Sequence, residues 1–223
     1  MKIGVLLPIF QNNADAALAS ADRAERAGLD GVFAFDHLWP IGSPERPALA
    51  PMPVLAAVAA RFSLSVGTLV ARVGLVSDVK LVEQFTTLEA MAPGRVIAGL
   101  GTGDDLSKDE HDAYGIGYPS ATERRRLLGA AMTALTPVMD VWCGAGSPLT
   151  NAVAREHGVA LNLWGVPAQV VRDEAAIGPV TWAGPLAREV DSTLSALDAA
   201  GATWAVISAP APLAELKEWR HSH

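Results

Sequence analysis

The chain has 223 residues, of which 50% are hydrophobic and 18% charged, and its formal net charge is −7. This composition excludes a disordered chain, because it supplies enough apolar surface to offset the conformational entropy lost on folding. The single cysteine excludes a disulfide scaffold, and the acidic balance argues against bulk nucleic-acid binding.

The sequence contains no candidate membrane span, and we expect a cytoplasmic protein. The longest apolar stretch, residues 48–60, contains prolines and is well short of the ~20 residues that a bilayer requires. The apolar run at residues 3–10 is too short for a signal peptide and lacks a small-residue cleavage site.

Short apolar runs without helical period alternate along the chain with longer segments that have one. The runs are residues 3–8, 31–35, 64–70, 96–100, 138–142, 160–163, 180–183 and 204–207. The helical segments that follow them are residues 15–27, 54–61, 81–91, 127–135, 149–157, 168–176, 186–197 and 212–219. The clearest apolar helix face is predicted to contain Leu81, Val82, Phe85, Leu88 and Met91.

Eight strand–helix units in 223 residues average about 28 residues each. Continuous apolar strands, each followed by a helix, imply a parallel sheet that is buried on both faces. We therefore predict an α/β fold, a compact (β/α)8 TIM barrel with few insertions, formed as one domain over residues 1–223. An open doubly wound sheet is the alternative.

The functional site of such a barrel lies at the carboxyl ends of its strands. Asp36 and His37 follow the second run, and a histidine in that position can exchange a proton near neutral pH. The alternative is structural: Asp36 caps the following loop and His37 only satisfies local hydrogen bonds.

Glycines follow the fourth run at Gly101 and Gly103, on either side of Thr102, and Asp104 comes next. Such glycines allow backbone N–H groups to approach a planar or anionic ligand closely. A simple turn from strand to loop explains the same residues.

Two further glycine positions are candidate phosphate sites. Gly146 and Ser147 open a helix, whose free N–H groups bind phosphate, although Ser147 also suits a helix N-cap. Gly184 follows the seventh run, where barrels often hold phosphate.

Metal binding is not expected, because the five histidines do not pair with cysteines or carboxylates at metal-ligand spacing; they are His37, His111, His157, His221 and His223. The lone Cys143 is more typical of a core residue than of a nucleophile.

In their order along the chain, several segments resemble the luciferase-like monooxygenase superfamily, whose members are flavin and deazaflavin barrel enzymes. The segments that carry the resemblance are residues 24–33, 36–38, 66–70, 83–89, 93–103 and 199–202. The Asp-His pair after the second strand resembles the members that use coenzyme F-420, a deazaflavin, with flavin mononucleotide (FMN) as the alternative.

The resemblance implies roles for individual residues. His37 would handle a proton beside the hydride-transfer face, and Asp36 would contact the cofactor ring. A cis peptide bond against the ring would lie within Thr68, Leu69 and Val70. Asp104 stands where the sugar-phosphate dehydrogenase branch has a glutamate acid, so the resemblance implies that Asp104 is catalytic together with His37.

The resemblance also implies that Gly146 and Ser147 grip the cofactor phosphate and that the protein is a homodimer. This chain departs from typical members in its shorter length, and the acidic-glycine-aromatic signature near the sixth strand is replaced by residues 160–164. Because the insertions that cover the cofactor ring in typical members are not expected here, the ring would be more exposed to water. Such exposure favours direct hydride transfer over an oxygenase reaction, whose reactive intermediate needs a dry site.

We therefore expect an F-420-dependent oxidoreductase that transfers a hydride to or from a small organic substrate. The alternatives are an FMN-dependent monooxygenase that works with a separate reductase, a non-catalytic flavin-binding protein, and an unrelated barrel enzyme that acts on a sugar phosphate.

Overall fold

The computed structural model describes residues 1–186 and 189–223, and its strands form one parallel sheet. The strands are β1 (Lys2–Leu6), β2 (Gly31–Ala34), β3 (Ser65–Thr68), β4 (Ala71–Arg72), β5 (Val96–Gly101), β6 (Asp140–Gly144), β7 (Ala160–Trp164), β8 (Val180–Gly184) and β9 (Ala202–Ile207).

The sheet closes into a barrel. Strand β1 pairs with both β2 and β9, and the chain of pairings runs through β8, β7 and β6 to β5. Strands β3 and β4 both pair with β5 and are two pieces of one strand, separated at Leu69 and Val70. The barrel therefore has eight strands, which confirms the predicted TIM barrel and excludes the open sheet. The Leu69–Val70 peptide bond is cis, within the segment that the resemblance indicates.

Helices surround the barrel. They are α1 (Asp15–Arg26), α2 (Pro51–Ala59), α3 (Asp78–Met91), α4 (Lys108–Ala113), α5 (Ala121–Leu135), α6 (Pro148–Glu156), α7 (Ala168–Ala175), α8 (Val190–Ala199) and α9 (Leu213–Ser222). A 3-10 turn (Asp105–Ser107) precedes α4. None of the helices in the described ranges is long and apolar enough to cross a membrane.

The sequence prediction missed the six-residue helix α4 and misplaced some boundaries. Strand β6 begins at Asp140, and Val138 is half exposed before it. Helix α3 buries Leu81, Phe85 and Leu88, whereas Met91 is 49% exposed. At about 100° per residue, Met91 falls too far around the helix from the line through those three side chains.

Large aromatic side chains fill the interior of the barrel. Phe33 stacks on Trp142 at a centroid distance of 5.0 Å and meets Trp204 edge-on at 5.6 Å. Glycines make room for them, since a Cβ on Gly4 would lie 2.7 Å from the Phe33 ring and one on Gly67 would lie 2.8 Å from it. This aromatic plug leaves the carboxyl ends of the strands as the place for a site.

Candidate functional site

A cavity of about 470 Å³ opens at the carboxyl ends of the strands, and we call it the central cavity. Its volume lies within the roughly 300–1,000 Å³ that is typical of small-molecule sites. Eight of the residues predicted from the sequence line it: His37, Leu69, Val70, Gly101, Thr102, Gly103, Asp104 and Gly146.

Val70 packs closely against Gly101 and Gly144 in the lining of the central cavity, and we call this part of the lining its floor. A Cβ on Gly101 would come within 2.4 Å of Val70 Cγ2, and one on Gly144 would lie 3.2 Å from the same atom. Any side chain at Gly101 would therefore displace Val70. Gly103 has a φ of +66°, which explains glycine at that position as well.

Aromatic rings form one side of the central cavity. Phe35 stands between Phe10 and Trp164, with ring centroids 6.2 Å and 5.8 Å away, and 6.1 Å from the ring of His37. Trp164 is 49% exposed, so this wall reaches the surface. Such a wall suits a flat ring system.

The ring of His37 is oriented by a hydrogen bond to Glu110, a residue of α4. Glu110 Oε1 accepts a hydrogen bond from His37 Nδ1 at 2.7 Å, and Oε2 accepts from the Leu38 amide at 2.8 Å. An ionised carboxylate can only accept, so the proton of a neutral His37 lies on Nδ1. His37 Nε2 is then the nitrogen that remains for a ligand.

Arg72, from strand β4, completes the cluster. Its Nη2 donates to Glu110 Oε2 at 2.7 Å, and its backbone N–H donates to Asp36 Oδ2 at 2.9 Å. Glu110 and Arg72 are only 1% and 4% exposed. We call Asp36, His37, Arg72 and Glu110 the mouth cluster.

The two carboxyls of the mouth cluster have opposite pKa shifts. Burial raises the pKa of Asp36, although the Arg72 amide and charge act against it. Burial alone would also raise the pKa of Glu110, but hydrogen bonds from His37 and Leu38 and the charge of Arg72 lower it overall.

Two donors of Arg72 have no hydrogen-bond partner among the described residues. They are Nε and Nη1, and both are buried. Buried polar atoms are nearly always paired, so an unpaired pair of this kind marks a place where a ligand oxygen or water is expected.

A second cavity, of about 400 Å³, lies on the other side of the mouth cluster, and we call it the side cavity. His37 and Arg72 line both cavities. The remainder of the side cavity comes from the loop after β2, the start of α2, the loop between β4 and α3, α3 itself and the segment after α4. His37 and Arg72 therefore form a wall that the two cavities share.

Four predicted site residues lie outside the central cavity. Asp36 lines the side cavity, and the buried Thr68 donates to the Gly99 carbonyl at 2.6 Å. Ser147 caps α6 by accepting from the Thr150 amide, and Gly184 packs against Trp182.

Two of the predicted contact groups already have partners. The Gly146 amide donates to Asn151 Oδ1 at 2.9 Å, so a phosphate could take that amide only if Asn151 turned away. The Asp104 side chain accepts from the Ser107 amide and caps the 3-10 turn. Roles for both residues toward a ligand stay predictions.

The sequence analysis did not identify Arg72 or Glu110 as site residues. Arg72 follows the third apolar run, so its position at a strand end was a usable signal. Glu110 had none, because it lies in a polar stretch whose short helix was not predicted. Only the fold shows that its carboxylate is buried beneath His37.

Other reactive groups lie apart from the cavities. Burial raises the pKa of the Cys143 thiol to about 12, which makes it a poor nucleophile. Within residues 1–186 and 189–223, no three His, Cys, Asp or Glu side chains are placed to hold a metal ion.

Comparison with known proteins assigns the chain to a family. The family model for luciferase-like monooxygenases matches residues 1–136. An F-420-dependent glucose-6-phosphate dehydrogenase of Microbacterium testaceum is 35% identical over 128 residues, which are 54% of this chain and 35% of that protein. An F-420-dependent hydroxymycolic acid dehydrogenase of Mycobacterium tuberculosis is 31% identical over 169 residues, 74% of this chain and 44% of that protein.

The fold has solved counterparts as well. The structure of an F-420-dependent secondary alcohol dehydrogenase in complex with an F-420–acetone adduct superposes with a TM-score of 0.78. The two chains are 14% identical, and the match covers 97% of each. At that identity the likeness concerns the fold alone.

The chain belongs to the luciferase-like monooxygenase family, as the match over residues 1–136 shows. It spans between a third and a half of the length of the curated relatives named above.

Proposed function

We propose that the protein is an oxidoreductase that uses coenzyme F-420 to transfer a hydride to or from a small organic substrate. The observation that carries the proposal is the position of His37: its Nδ1 is fixed by Glu110, and its ring borders the central cavity. The names of the curated relatives support the choice of cofactor, since both are F-420-dependent dehydrogenases.

The central cavity fits a planar ring. Its floor is Val70 over Gly101, where even a Cβ would not be accommodated, and its wall is the row Phe10, Phe35 and Trp164. A bound deazaflavin supplies the hydride chemistry, as an acceptor or a donor of two electrons. Leu69 and Val70 would lie against the ring, and Gly101, Thr102 and Gly103 would line its edge.

His37 would move the proton that accompanies the hydride. In the oxidation of an alcohol, the carbon loses a hydride, the hydroxyl loses a proton to His37 Nε2, and a carbonyl compound results. In the reverse direction Nε2 returns the proton to the carbonyl oxygen. Glu110 carries the opposite charge to the imidazolium and keeps the ring oriented throughout.

The remaining predicted residues have subsidiary parts in the proposal. Asp36 orients the Arg72 backbone, and Asp104 shapes the loop at the edge of the cavity. Gly146, Ser147 and Gly184 stay candidates for the phosphate end of the cofactor. One domain over residues 1–223, a homodimer and a cytoplasmic location also stay predictions.

Titration of the purified protein with F-420 and with FMN, followed by fluorescence, tests the proposal. We expect saturable binding of F-420 and much weaker binding of FMN. Ala145, an exposed residue that lines the central cavity, offers a blocking variant, Ala145→Trp. Ala19→Trp on the exposed face of α1 is the matched control.

We expect Ala145→Trp to weaken F-420 binding at least tenfold and Ala19→Trp to leave it unchanged. Tight FMN binding without F-420 binding would instead favour the FMN-dependent monooxygenase. Binding of F-420 without any turnover of alcohols, aldehydes or ketones would favour a non-catalytic binding protein.

A further inference from the structure

We propose that the side cavity holds the apolar part of the substrate and that Arg72 receives its oxygen, so that the substrate is an uncharged apolar ketone or alcohol rather than a sugar phosphate. The inference rests on the proposed function, because it assigns the central cavity to the cofactor ring. It names the class of substrate that the mouth cluster would then meet.

The lining of the side cavity is mostly apolar. The side chains that form it include Met52, Pro53, Leu75, Val76, Leu81 and Ile116. Val76 and Tyr114, at its outer part, are 37% and 62% exposed, so the cavity reaches solvent. Apolar side chains around a cavity open to water favour a ligand that buries hydrocarbon there.

Asp36, His37 and Arg72 form the charged wall of the side cavity. Arg72 Nε and Nη1 lie buried behind the surface of this wall, without a partner among the described residues. A ligand oxygen would reach them only if the Arg72 side chain turned toward the cavity, and it would then satisfy donors that otherwise have none.

Charge balance decides what kind of oxygen it is. The guanidinium of Arg72 already pairs with Glu110 at 2.7 Å, and the Asp36 carboxyl accepts from the Arg72 backbone. The positive charge of Arg72 is therefore already neutralised by Glu110, and the Asp36 carboxyl lies close to it. An anionic ligand would gain little attraction there and would be repelled by the two carboxyls. A neutral carbonyl or hydroxyl oxygen can accept from Nε or Nη1 without this repulsion.

The lining of the side cavity is also unsuited to a phosphate dianion. Arg72 is the one Lys or Arg among the lining residues described for either cavity. Binding of a phosphorylated sugar usually requires several cationic or backbone donors.

The position of His37 connects the two compartments. Its ring lines the side cavity and the central cavity alike. A substrate oxygen at Arg72 would therefore lie beside His37, while the carbon that bears it faces the central cavity.

Two homologous series of probes test the inference: 2-pentanone, 2-heptanone and 2-nonanone against pentanoate, heptanoate and nonanoate. Calorimetry gives their affinities for the protein alone and for the protein saturated with F-420. We expect ketone affinity to rise roughly fourfold per added methylene, as burial of hydrocarbon predicts, and each carboxylate to bind more weakly than the ketone of equal length.

A pair of variants locates the binding. Ala48 is half-buried and lines the side cavity, so Ala48→Phe fills it, whereas Ala19→Phe places the same side chain on an exposed helix face. We expect Ala48→Phe to remove the dependence on chain length and Ala19→Phe to keep it. Circular dichroism and F-420 titration of both variants show whether they are folded.

The inference is overturned if affinity does not depend on chain length, if folded Ala48→Phe keeps the dependence, or if the carboxylates bind more tightly than the ketones. These outcomes are distinct from failure of the proposed function. That failure would appear as absence of F-420 binding, and chain-length-dependent ketone binding by the protein alone would still support the side cavity as the apolar site.

Discussion

Glu110 Oε1 lies 2.7 Å from His37 Nδ1, although the two residues are 73 positions apart in the chain. Helix α4 brings the carboxylate beneath the imidazole, and its other oxygen takes Arg72 Nη2 at the same distance. One buried carboxylate therefore orients the imidazole and compensates a buried guanidinium. Both functions can be separated by substitution.

Replacement of Glu110 should be costly for stability. In Glu110→Gln the amide oxygen can still accept from His37, but Arg72 becomes a buried charge without its counter-ion. Removal of one partner of a buried pair typically costs about 3–5 kcal/mol. Urea denaturation measures the change, and Glu83→Gln, which affects an exposed pair with Lys80, should be close to wild type. Equal stabilities for the two variants would contradict the assigned role of Glu110.

Replacement of His37 should separate binding from turnover. In His37→Ala we expect F-420 affinity within about threefold of wild type, since the floor and aromatic wall remain, and kcat reduced about 10²–10⁴-fold, as for loss of a general acid–base group. Fluorescence titration and steady-state rates with a secondary alcohol test this. Unchanged turnover would remove His37 from the mechanism.

Ionisation of Asp36 and ionisation of Glu110 should affect the stability of the fold in opposite directions. The raised pKa of Asp36 means that its ionisation opposes folding at neutral pH and that this penalty disappears as pH falls toward 3.8, its ordinary value. Asp36→Asn should therefore be at least as stable as wild type at pH 7, and its advantage should shrink on acidification.

The lowered pKa of Glu110 has the opposite effect. Its contribution is fully present above the ordinary value of 4.5 and is lost as pH falls through the folded pKa. The deficit of Glu110→Gln should therefore be largest at neutral pH and should shrink on acidification. Urea midpoints of wild type and both variants, measured from pH 7 down to about pH 3, distinguish these trends, because the Glu110 contribution is lost only below 4.5. Parallel curves for all three proteins over this range would contradict them.

The floor of the central cavity should tolerate no side chain at Gly101. Gly101→Ala should destabilise the protein by about 1–3 kcal/mol through overpacking and weaken F-420 binding, because Val70 is displaced. Adding Val70→Ala should recover much of the stability. Gly117→Ala, where no atom lies within 4 Å of the new Cβ, is the control. Additive effects in the double variant would exclude a direct clash with Val70.

Cys143 should be protected from alkylation in the folded protein. The thiol is buried and its pKa is about 12, so very little thiolate is present at pH 8. Labelling with iodoacetamide, followed by mass spectrometry, should proceed at least a hundredfold faster in urea than in buffer. Rapid labelling in buffer would show that the thiol is accessible.

The sequence predicted the barrel because the pattern is periodic and local. Each apolar run and the helix after it can be recognised within about thirty residues, and eight repeats leave few other folds. Errors occurred where tertiary packing decides whether a side chain is buried. Met91 is an example, since its exposure depends on which part of α3 the strands cover.

Part of the lining of the central cavity could be predicted for the same reason. His37, Val70 and Gly101 lie at strand ends, which converge in any such barrel, and they line the central cavity. Glu110 could not be found this way, since its partners come from β4 and from the loop after β2. The pairing is a property of the folded chain, because neither a run nor a spacing connects residues 37, 72 and 110.

The packed rings of Phe33, Trp142 and Trp204 fill the barrel interior, so the central cavity is open only at the carboxyl ends of the strands. Ligands, protons and displaced water must then enter and leave at the rim, on the same face. A flat ring that binds against Val70 would at the same time exclude water from the space beside His37. Occupancy of the central cavity would thus control the hydration of the His37 imidazole.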